Sequence, residues 1–311
     1  MDRAVAGERA VVTAPLAVVA VGGNALVRAD QGPDVATQRA NAADAAAHLA
    51  RLAHDHRLVV THGNGPQVGL LALQAAGHPE LPPHPLDVLD AESVGLIGYL
   101  LVEALSRHLD PERVAALLTR VEVDPQDPAF TAPTKPVGPW YAEDEGRSLA
   151  RANGWYLTAG DRGVRRIVAS PPPLRVVELD AIRALLLAGL VVVAGGGGGI
   201  PVATGDHRGV EAVVDKDLTS ALIAERLDAD RLVILTDVDA VHLDHGRPEC
   251  RPLTRTTPAE LRAHHFAPGT MGPKVAAVCR FVEATGNPAA IGALDSAAEV
   301  LAGTAGTTIT L

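Results

Sequence analysis

The sequence is poor in aromatic residues, cysteine and long apolar runs, and each shortage excludes a class of protein. Phe, Trp and Tyr make up 3% of the 311 residues, so Ala, Val, Leu and Ile must fill the core. Cys250 and Cys279 form neither a CxxC pair nor a zinc-ligand spacing, which excludes a secreted disulfide scaffold. The longest apolar run, residues 184–194, spans about eleven residues. A bilayer helix needs ~20, so we expect no membrane segment.

The charge balance argues against nucleic acid as the main partner, because the formal net charge is −10. Hydrophobic residues make up 47% of the chain and charged residues 21%, which indicates a packed core rather than a disordered chain. Residues 1–15 lack the basic-then-apolar order of a signal peptide. The expectation is a cytoplasmic protein that binds neither nucleic acid nor membrane.

Short β-branched runs followed by glycine or polar turns alternate with segments of helical periodicity. The runs are residues 16–21, 57–61, 190–193 and 231–235. The helical segments are residues 35–54, 91–108, 210–227 and 271–285. Continuous apolar runs are typical of strands buried on both faces of a parallel sheet. The pattern predicts an α/β fold, an open αβα sandwich whose strand carboxyl ends face the ligand.

Residues 122–173 have a different composition, rich in Pro, Gly and Asp, and they concentrate the few aromatic residues. Trp140, Tyr141, Trp155 and Tyr156 all lie in this stretch. Such a composition is typical of turns and short elements rather than long helices. We therefore predict an inserted subdomain with its own small core.

Glycines follow three of the predicted strands, at residues 22–23, 63–65 and 195–199. Glycines at such places serve either as tight turns or as a cradle whose backbone N–H groups point at phosphate. Three turns at strand ends favour the phosphate cradle, because the fold brings those ends together. The chain contains neither GxxxxGK(S/T) nor GxGxxG, which disfavours a P-loop and a Rossmann dinucleotide site.

Only three of the 27 basic residues are lysines, and all three lie in turns rich in Gly, Pro or Asp. Lys216 is flanked by two aspartates, Lys274 follows a Gly-Pro turn, and Lys135 lies between prolines. An ammonium is a compact point charge that guanidinium does not replace. Separate cations aimed at one place are typical of phosphoryl transfer, whereas each lysine alone could form an ordinary salt bridge.

No general base stands out in the sequence. His62 precedes a glycine turn, where a structural role is the commoner one. The pairs at 54/56, 242/245 and 264/265 could be metal ligands or solvated surface histidines. A carboxylate nucleophile is already ionised at neutral pH and needs no base. This absence points to a kinase that forms an acyl phosphate.

Seven segments, in order along the chain, strongly resemble the carbamate kinases, which have the amino-acid-kinase fold. They are residues 21–26 (VGGNAL), 61–69 (THGNGPQVG), 133–139 (PTKPVGP), 196–202 (GGGGIPV), 209–217 (GVEAVVDKD), 234–240 (ILTDVDA) and 268–274 (PGTMGPK). The resemblance runs from about residue 16 to the C-terminus. HGNGPQVG, PTKPVGP and DKD together are highly specific within that fold.

The resemblance implies reversible phosphoryl transfer between ATP and carbamate, giving ADP and carbamoyl phosphate, with Mg²⁺. It implies a homodimer and a mainly parallel sheet of about eight strands. It also implies one domain with a phosphoryl-side lobe over about 16–200 and a nucleotide-binding lobe over about 201–311. The insertion at 122–173 would be the subdomain that protrudes over the active site.

The resemblance also implies site residues. The catalytic group would be Lys135, Lys216, Asp217 and Lys274, with Asp217 orienting lysines rather than acting as a base. Substrate and phosphoryl groups would be held by Gly22, Gly23, Asn24, Gly63, Asn64, Gly65, Gly197 and Gly198. The nucleotide would be bordered by Thr236, Asp237, Asp239, Val241 and Met271.

Two positions depart from the family pattern: Val94 stands where relatives commonly carry Gln, and Ala169 replaces a common Pro. Val94 bears on the polarity of the substrate pocket or on dimer contacts. Val94 keeps one alternative open, and a second stands apart from these departures. One is a kinase of the same fold that acts on another carboxylate or a phosphonate. The other is a nucleotide-binding regulator without catalysis.

Overall fold

The structure is a computed structural model that describes residues 14–23, 27, 31, 34–76, 84–244, 250–267 and 269–311. All structural statements below concern these residues. The predicted site residue Asn24 lies outside them, as does Pro268 of the last family motif.

The main sheet has eight strands in the described residues, which are β1 Leu16–Val21, β2 Arg57–His62, β3 Val114–Ala116, β9 Val191–Val193, β11 Arg231–Thr236, β14 Arg255–Thr256, β15 Ala289–Ala293 and β16 Thr307–Ile309. Their spatial order is β14-β16-β15-β11-β1-β2-β9-β3. β1 pairs in parallel with both β2 and β11, and its six residues are all buried. The β15–β16 pair is antiparallel. The predicted α/β fold with a mainly parallel sheet is confirmed.

Helices pack on both faces of this sheet, and others pack against those helices or against the smaller sheets. In the described residues the α-helices are α1 Val35–Leu52, α2 Gly65–Ala76, α3 Leu86–Leu105, α4 Glu143–Asn153, α5 Leu179–Leu187, α6 Lys216–Arg226, α7 Pro258–Arg262, α8 Met271–Thr285 and α9 Ala297–Ala302. Alternate residues of β1 enter different cores, as the strand's period of two requires. Val18 packs in the core that holds Leu222 and Phe281, whereas Val19 packs in the core that holds Leu49 and Leu101.

The helix predicted over residues 210–227 begins only at Lys216. The side chain of Asp215 accepts hydrogen bonds from the backbone N–H groups of Asp217 and Leu218, which caps the helix there. Before the cap, Ala212 pairs with Ala169 in an isolated bridge, so this part of the chain is extended. The apolar periodicity made the predicted helix begin at residue 210, but the Asp215 side-chain cap fixes its actual start at Lys216.

The apolar run at residues 184–194 is divided between α5 and β9 by a turn at Gly189, whose φ of 79° suits glycine. Within the described ranges, no helix combines the length and apolar character that spanning a membrane requires.

Smaller sheets complete the fold. They contain β4 Arg120–Val123, β5 Lys135–Tyr141, β6 Tyr156–Gly160, β7 Gly163–Val168, β8 Arg175–Val176, β10 Ile200–Ala203, β12 Val241–Leu243 and β13 Arg251–Leu253. The β5-β7-β6 sheet and α4 lie inside the predicted insertion. Val137 of β5 and Val168 of β7 pack with Val68 and Leu89, so this sheet rests on α2 and α3. The division of the chain into lobes stays a prediction.

Candidate active site

The glycine turns after β1 and β2 touch each other. The N–H of Gly22 donates to the carbonyl of Leu235 at 3.0 Å, which joins the end of β1 to β11. A Cβ placed on Gly63 would lie 2.8 Å from the backbone nitrogen of Gly23, closer than side chains come to backbone. Glycine is therefore needed at Gly63 for two backbone segments to meet at the carboxyl edge of the sheet.

The glycine run after β9 crosses the same edge. Gly197 and Gly198 have φ values of 66° and 97°, which side chains rarely adopt. A Cβ would lie 2.2 Å from Asn64 Nδ2 at Gly197 and 2.1 Å from the carbonyl oxygen of Val214 at Gly198. The run therefore allows a close approach between the turn after β2 and the segment that leads into α6.

Two of the three lysines meet on one buried carboxylate at the start of α6. Lys216 Nζ lies 2.5 Å from Asp217 Oδ1, and Lys274 Nζ lies 3.0 Å from Asp217 Oδ2. Burial by itself would raise the pKa of Asp217, but the two lysine charges outweigh it and keep that pKa below its ordinary value. Asp217 is therefore an ionised carboxylate between two ammonium groups, and the orienting role predicted for it stays a prediction.

Lys135, the first residue of β5, reaches the same helix terminus from the smaller sheet. Its Nζ lies 3.3 Å from Oδ2 of Asp215, the residue that caps α6. All three lysines of the chain thus gather at one helix N-terminus, with two aspartates between them. One positive charge is left over, next to the positive end of the α6 dipole. This arrangement suits a polyanion such as a chain of phosphates.

His62 is enclosed beside this cluster, and its burial makes the imidazole a weak base. Burial lowers its pKa to about 4, with Lys216 contributing, although a hydrogen bond to the carbonyl of Gly63 opposes the shift. A Cβ on Gly196 would lie 2.4 Å from its ring, so the imidazole is packed against the glycine run. His62 is neutral at neutral pH and has the structural role considered from the sequence.

The histidine pairs do not form a metal site in the described part of the chain. There, no group of three or more His, Cys, Asp or Glu side chains is arranged to hold a metal ion. His242 Nε2 instead pairs with Asp239 Oδ1 at 2.7 Å. His245 lies outside the described residues.

The residues predicted to border the nucleotide lie at and beyond the end of β11. The hydroxyl of Thr236 donates to Asp237 at 3.0 Å, and Met271 opens α8 and packs against the main core. The Val241 side chain is fully buried, and its N–H donates to the hydroxyl of Thr307 at 2.8 Å. The side chain of Val241 is therefore part of the core and is not available to a ligand. The nucleotide roles of these residues stay predictions.

Asp90 and Ser93 contact the site but were missed in the sequence. Asn64 Nδ2 lies 3.1 Å from Asp90 Oδ1 and 2.9 Å from Ser93 Oγ, so α3 supports the turn after β2. Both side chains are buried on α3. Their signal in the sequence is a polar pair spaced i, i+3 on a helix that is otherwise apolar on that face.

Asp90 carries the strongest shift at the site. Burial raises its pKa to about 8, and the charges of Asp87 and Glu211 add to the effect, while the hydrogen bond from Asn64 opposes it. The folded protein therefore keeps Asp90 protonated at neutral pH. In the unfolded chain the same carboxyl has the ordinary aspartate pKa of 3.8 and is ionised at neutral pH.

This shift predicts a pH dependence of stability. Above pH 6.5 the native state holds up to one more proton than the unfolded chain, and this excess is lost as pH rises through the folded pKa of about 8. The free energy of unfolding should therefore fall as pH rises, by at most about 1.4 kcal/mol per unit. His62 acts oppositely, but only between its folded pKa of about 4 and 6.5. Asp90→Asn should remove the slope in urea denaturation. Asp180→Asn, at a side chain that is 95% exposed, should retain it, and equal slopes in both variants would contradict this account.

Comparison with known proteins identifies the family. The model of the amino acid kinase family matches residues 15–293. Carbamate kinase from Escherichia coli strain K12 is 50% identical over 294 residues, which cover 94% of this chain and 99% of the relative. Carbamate kinase from Thermococcus kodakarensis is 42% identical over 308 residues, which cover 94% and 98%. The chain belongs to the carbamate kinases. The family resemblance found in the sequence motifs is confirmed.

Solved carbamate kinases share the architecture as well. Carbamate kinase from Giardia lamblia bound to AMP-PNP superposes with a TM-score of 0.90 at 39% identity, covering 96% of this chain and 99% of that chain.

Of the two departures from the family pattern, Ala169 is buried and forms the bridge with Ala212. Val94 is buried on α3, where it lines a groove with His62 and Tyr99. Val94 therefore bears on the groove beside the site and not on the lysine cluster.

Proposed function

We propose that this protein transfers a phosphoryl group reversibly between ATP and carbamate, giving ADP and carbamoyl phosphate. The observation that carries the proposal is the meeting of Lys135, Lys216 and Lys274 at the carboxyl edge of the parallel sheet, beside three glycine turns. The relatives that share its sequence over almost their whole length are carbamate kinases.

In the proposed reaction a carbamate oxygen forms a bond to the γ-phosphorus of ATP while the bond to the β,γ-bridging oxygen breaks and ADP leaves with that electron pair. The nucleophile is already an anion, so no group needs to remove a proton. Lys216 and Lys274 neutralise the charge on the transferring group, and Asp217 holds their ammonium groups in place.

Lys135 adds a third cation from the β5-β7-β6 sheet. Its contact with Asp215 links that sheet to the start of α6, so the insertion and the lysine cluster act on one substrate. We infer that residues 122–173 form the protruding subdomain, and that residues 16–200 and 201–311 form the phosphoryl-side and nucleotide-binding lobes.

The turns after β1 and β2 would bind the substrate through backbone N–H groups other than those of Gly22 and Gly63, which donate to the carbonyls of Leu235 and Val21. Gly22, Gly23, Gly63 and Gly65 lie at the ends of β1 and β2, where the carbamate and phosphoryl groups would sit. Gly197 and Gly198 let the backbone approach closely. The segment from Thr236 to Val241 and Met271 would border the nucleotide, beyond β11.

Mg²⁺ would enter with the nucleotide. Both carboxylate oxygens of Asp217 are taken by lysines, and Asp215 pairs with Lys135. The donor set fits an ion held mainly by the phosphates, with at most one protein carboxylate, as Mg²⁺ commonly is in kinases. Bound there, Mg²⁺ would neutralise charge on the β- and γ-phosphate oxygens.

The test is to mix the purified protein with carbamoyl phosphate and Mg-ADP and to measure ATP formation, beside a panel of other acyl phosphates. ATP from carbamoyl phosphate at the highest kcat/KM supports the proposal. Preference for another acyl phosphate would support a kinase for a different acid. Tight ATP binding with no turnover on any compound would support a regulator instead.

We propose further that the protein forms a homodimer through the groove beside Val94. The groove has a volume of about 330 Å³, and Tyr99 and Leu118 on its rim are 58% and 55% exposed. Exposed apolar side chains grouped in this way mark an interaction surface.

Leu118→Asp should convert a dimer to a monomer in sedimentation velocity. Leu187→Asp, at a leucine that is 52% exposed on α5, should remain a dimer.

A further inference from the structure

The hydrogen bonds of Ser93 decide which way the Asn64 amide faces. Ser93 Oγ donates its single proton to the backbone carbonyl of Asp90 at 2.8 Å. The same oxygen lies 2.9 Å from the Asn64 amide, so it can act there only as an acceptor. An acceptor requires the amide nitrogen of Asn64 opposite it, which places Nδ2 on the α3 side.

Asp90 takes the second proton of that nitrogen but does not select the orientation. Its Oδ1 lies 3.1 Å from Asn64 Nδ2. Because burial raises its pKa to about 8, Asp90 is protonated at neutral pH and could either accept from the nitrogen or donate to the oxygen of an amide. Ser93 is therefore the residue that excludes the flipped amide.

The oxygen of Asn64 is left for the substrate. Within the described part of the chain no group donates to Asn64 Oδ1, and this oxygen is not among the side-chain atoms sealed from solvent without a partner, which are Gln67 Oε1 and Trp140 Nε1. The amide lies against Gly197, where a Cβ would be 2.2–2.7 Å from its atoms. Asn64 also adjoins Gly63, which touches Gly23 at the end of β1.

We propose that Asn64 Oδ1 accepts a hydrogen bond from the amino group of carbamate, and that Ser93 and Asp90 are positioning residues that hold the amide for this purpose. The inference rests on the proposed function and adds the feature by which the substrate is selected. The carboxylate end is shared by carbamate and other small acids, and only the amino group distinguishes carbamate from acetate. An acyl group with methyl in place of NH₂ leaves Oδ1 desolvated and without a partner.

The test compares carbamoyl phosphate with acetyl phosphate, which differ by NH₂ against CH₃, as phosphoryl donors to Mg-ADP. The wild type should prefer carbamoyl phosphate about 100-fold or more in kcat/KM. Ser93→Ala should lower this preference about tenfold, because the hydrogen bond that fixes the Asn64 amide is lost and Oδ1 is no longer held toward the substrate. The KM for ADP should stay unchanged. Asn64→Ala, which removes the oxygen, should abolish most of the preference.

The ratio of two substrates on one preparation does not depend on the fraction of folded enzyme, so a merely structural role of Ser93 would leave it unchanged. Ser148→Ala, at an exposed serine on α4, is the matched control and should keep the wild-type ratio. A ratio near one in the wild type, or an unchanged ratio in a folded Ser93→Ala, would overturn the inference. The wild-type ratio decides even if the variant fails to fold. Absence of ATP from carbamoyl phosphate would instead overturn the proposed function itself.

Discussion

Lys216→Ala is expected to lower kcat for ATP formation from carbamoyl phosphate about 10³-fold, while the protein stays folded. Lys216 is the lysine nearest the buried carboxylate of Asp217, and its ammonium is one of two that this carboxylate holds. Without the Lys216 ammonium, the negative charge on the transferring phosphoryl group loses a cation that the fold holds in place. The loss is large because little water reaches the site to replace that cation. Steady-state kinetics at saturating Mg-ADP measure the loss.

The folded state should survive because Asp217 keeps Lys274 as its partner at 3.0 Å. A change in the free energy of unfolding of no more than about 2 kcal/mol is expected. Arg226→Ala is the matched control, since Arg226 ends the same helix and its side chain is 56% exposed. Lys216→Arg should also be poorly active, because guanidinium does not reproduce a compact ammonium. Turnover of Lys216→Ala near that of the wild type would refute the mechanism.

Gly197→Ala is expected to lower kcat/KM about 100-fold by displacing the Asn64 side chain. The new Cβ would lie 2.2 Å from Asn64 Nδ2, so either the amide leaves Ser93 and Asp90 or the glycine run moves. A shift of about 1 Å in a group that contacts substrate is enough for a loss of this size. Both routes disturb the part of the site proposed to bind carbamate, so the KM for carbamoyl phosphate should rise more than the KM for ADP.

Gly154→Ala separates the steric effect from backbone strain. Gly154 has a φ of 68°, almost equal to the 66° of Gly197, but a Cβ there would have open space around it. Both variants should lose about 1 kcal/mol of stability from the left-handed backbone. Only Gly197→Ala should lose activity. Equal kinetics in the two variants would show that the contact with Asn64 has no part in catalysis.

Much of the fold could be predicted because its signals are local. The segment at 16–21 is a continuous apolar β-branched run, and β1 has those bounds. The helix expected at 271–285 has the same bounds in α8. Its apolar periodicity ends at Thr285, and Gly286, in the left-handed conformation, caps the helix at the same place. The helix expected from residue 210 began late, because capping by Asp215 competes with apolar periodicity. Helix boundaries depend on single side chains and are less well encoded than the helices themselves.

The sequence also pointed to part of the candidate site, but not to all of its residues. Scarcity of lysine singled out Lys135, Lys216 and Lys274, and the structure brings all three to one helix terminus. The side chain of Val241 faces the core instead, because a residue inside a motif that borders a ligand need not point toward it. Asp90 and Ser93 went unnoticed because polar residues spaced i, i+3 on a helix are common on solvated faces, and only the packed structure shows that this pair is buried.

Local chemistry thus specified the strands, the glycine turns, the three lysines and the family. These features follow from residue type and short spacing, which any segment displays without its partners. The contacts that make them a site join residues far apart in the chain: Lys135 and Asp215 are 80 positions apart, and Lys274 and Asp217 are 57. Burial of His62 and Asp90, and hence their shifted pKa values, likewise arises only when helices close over the sheet edge. Desolvation and mutual approach are properties of the packed chain, so only the assembled fold sets the protonation and orientation on which the proposed chemistry depends.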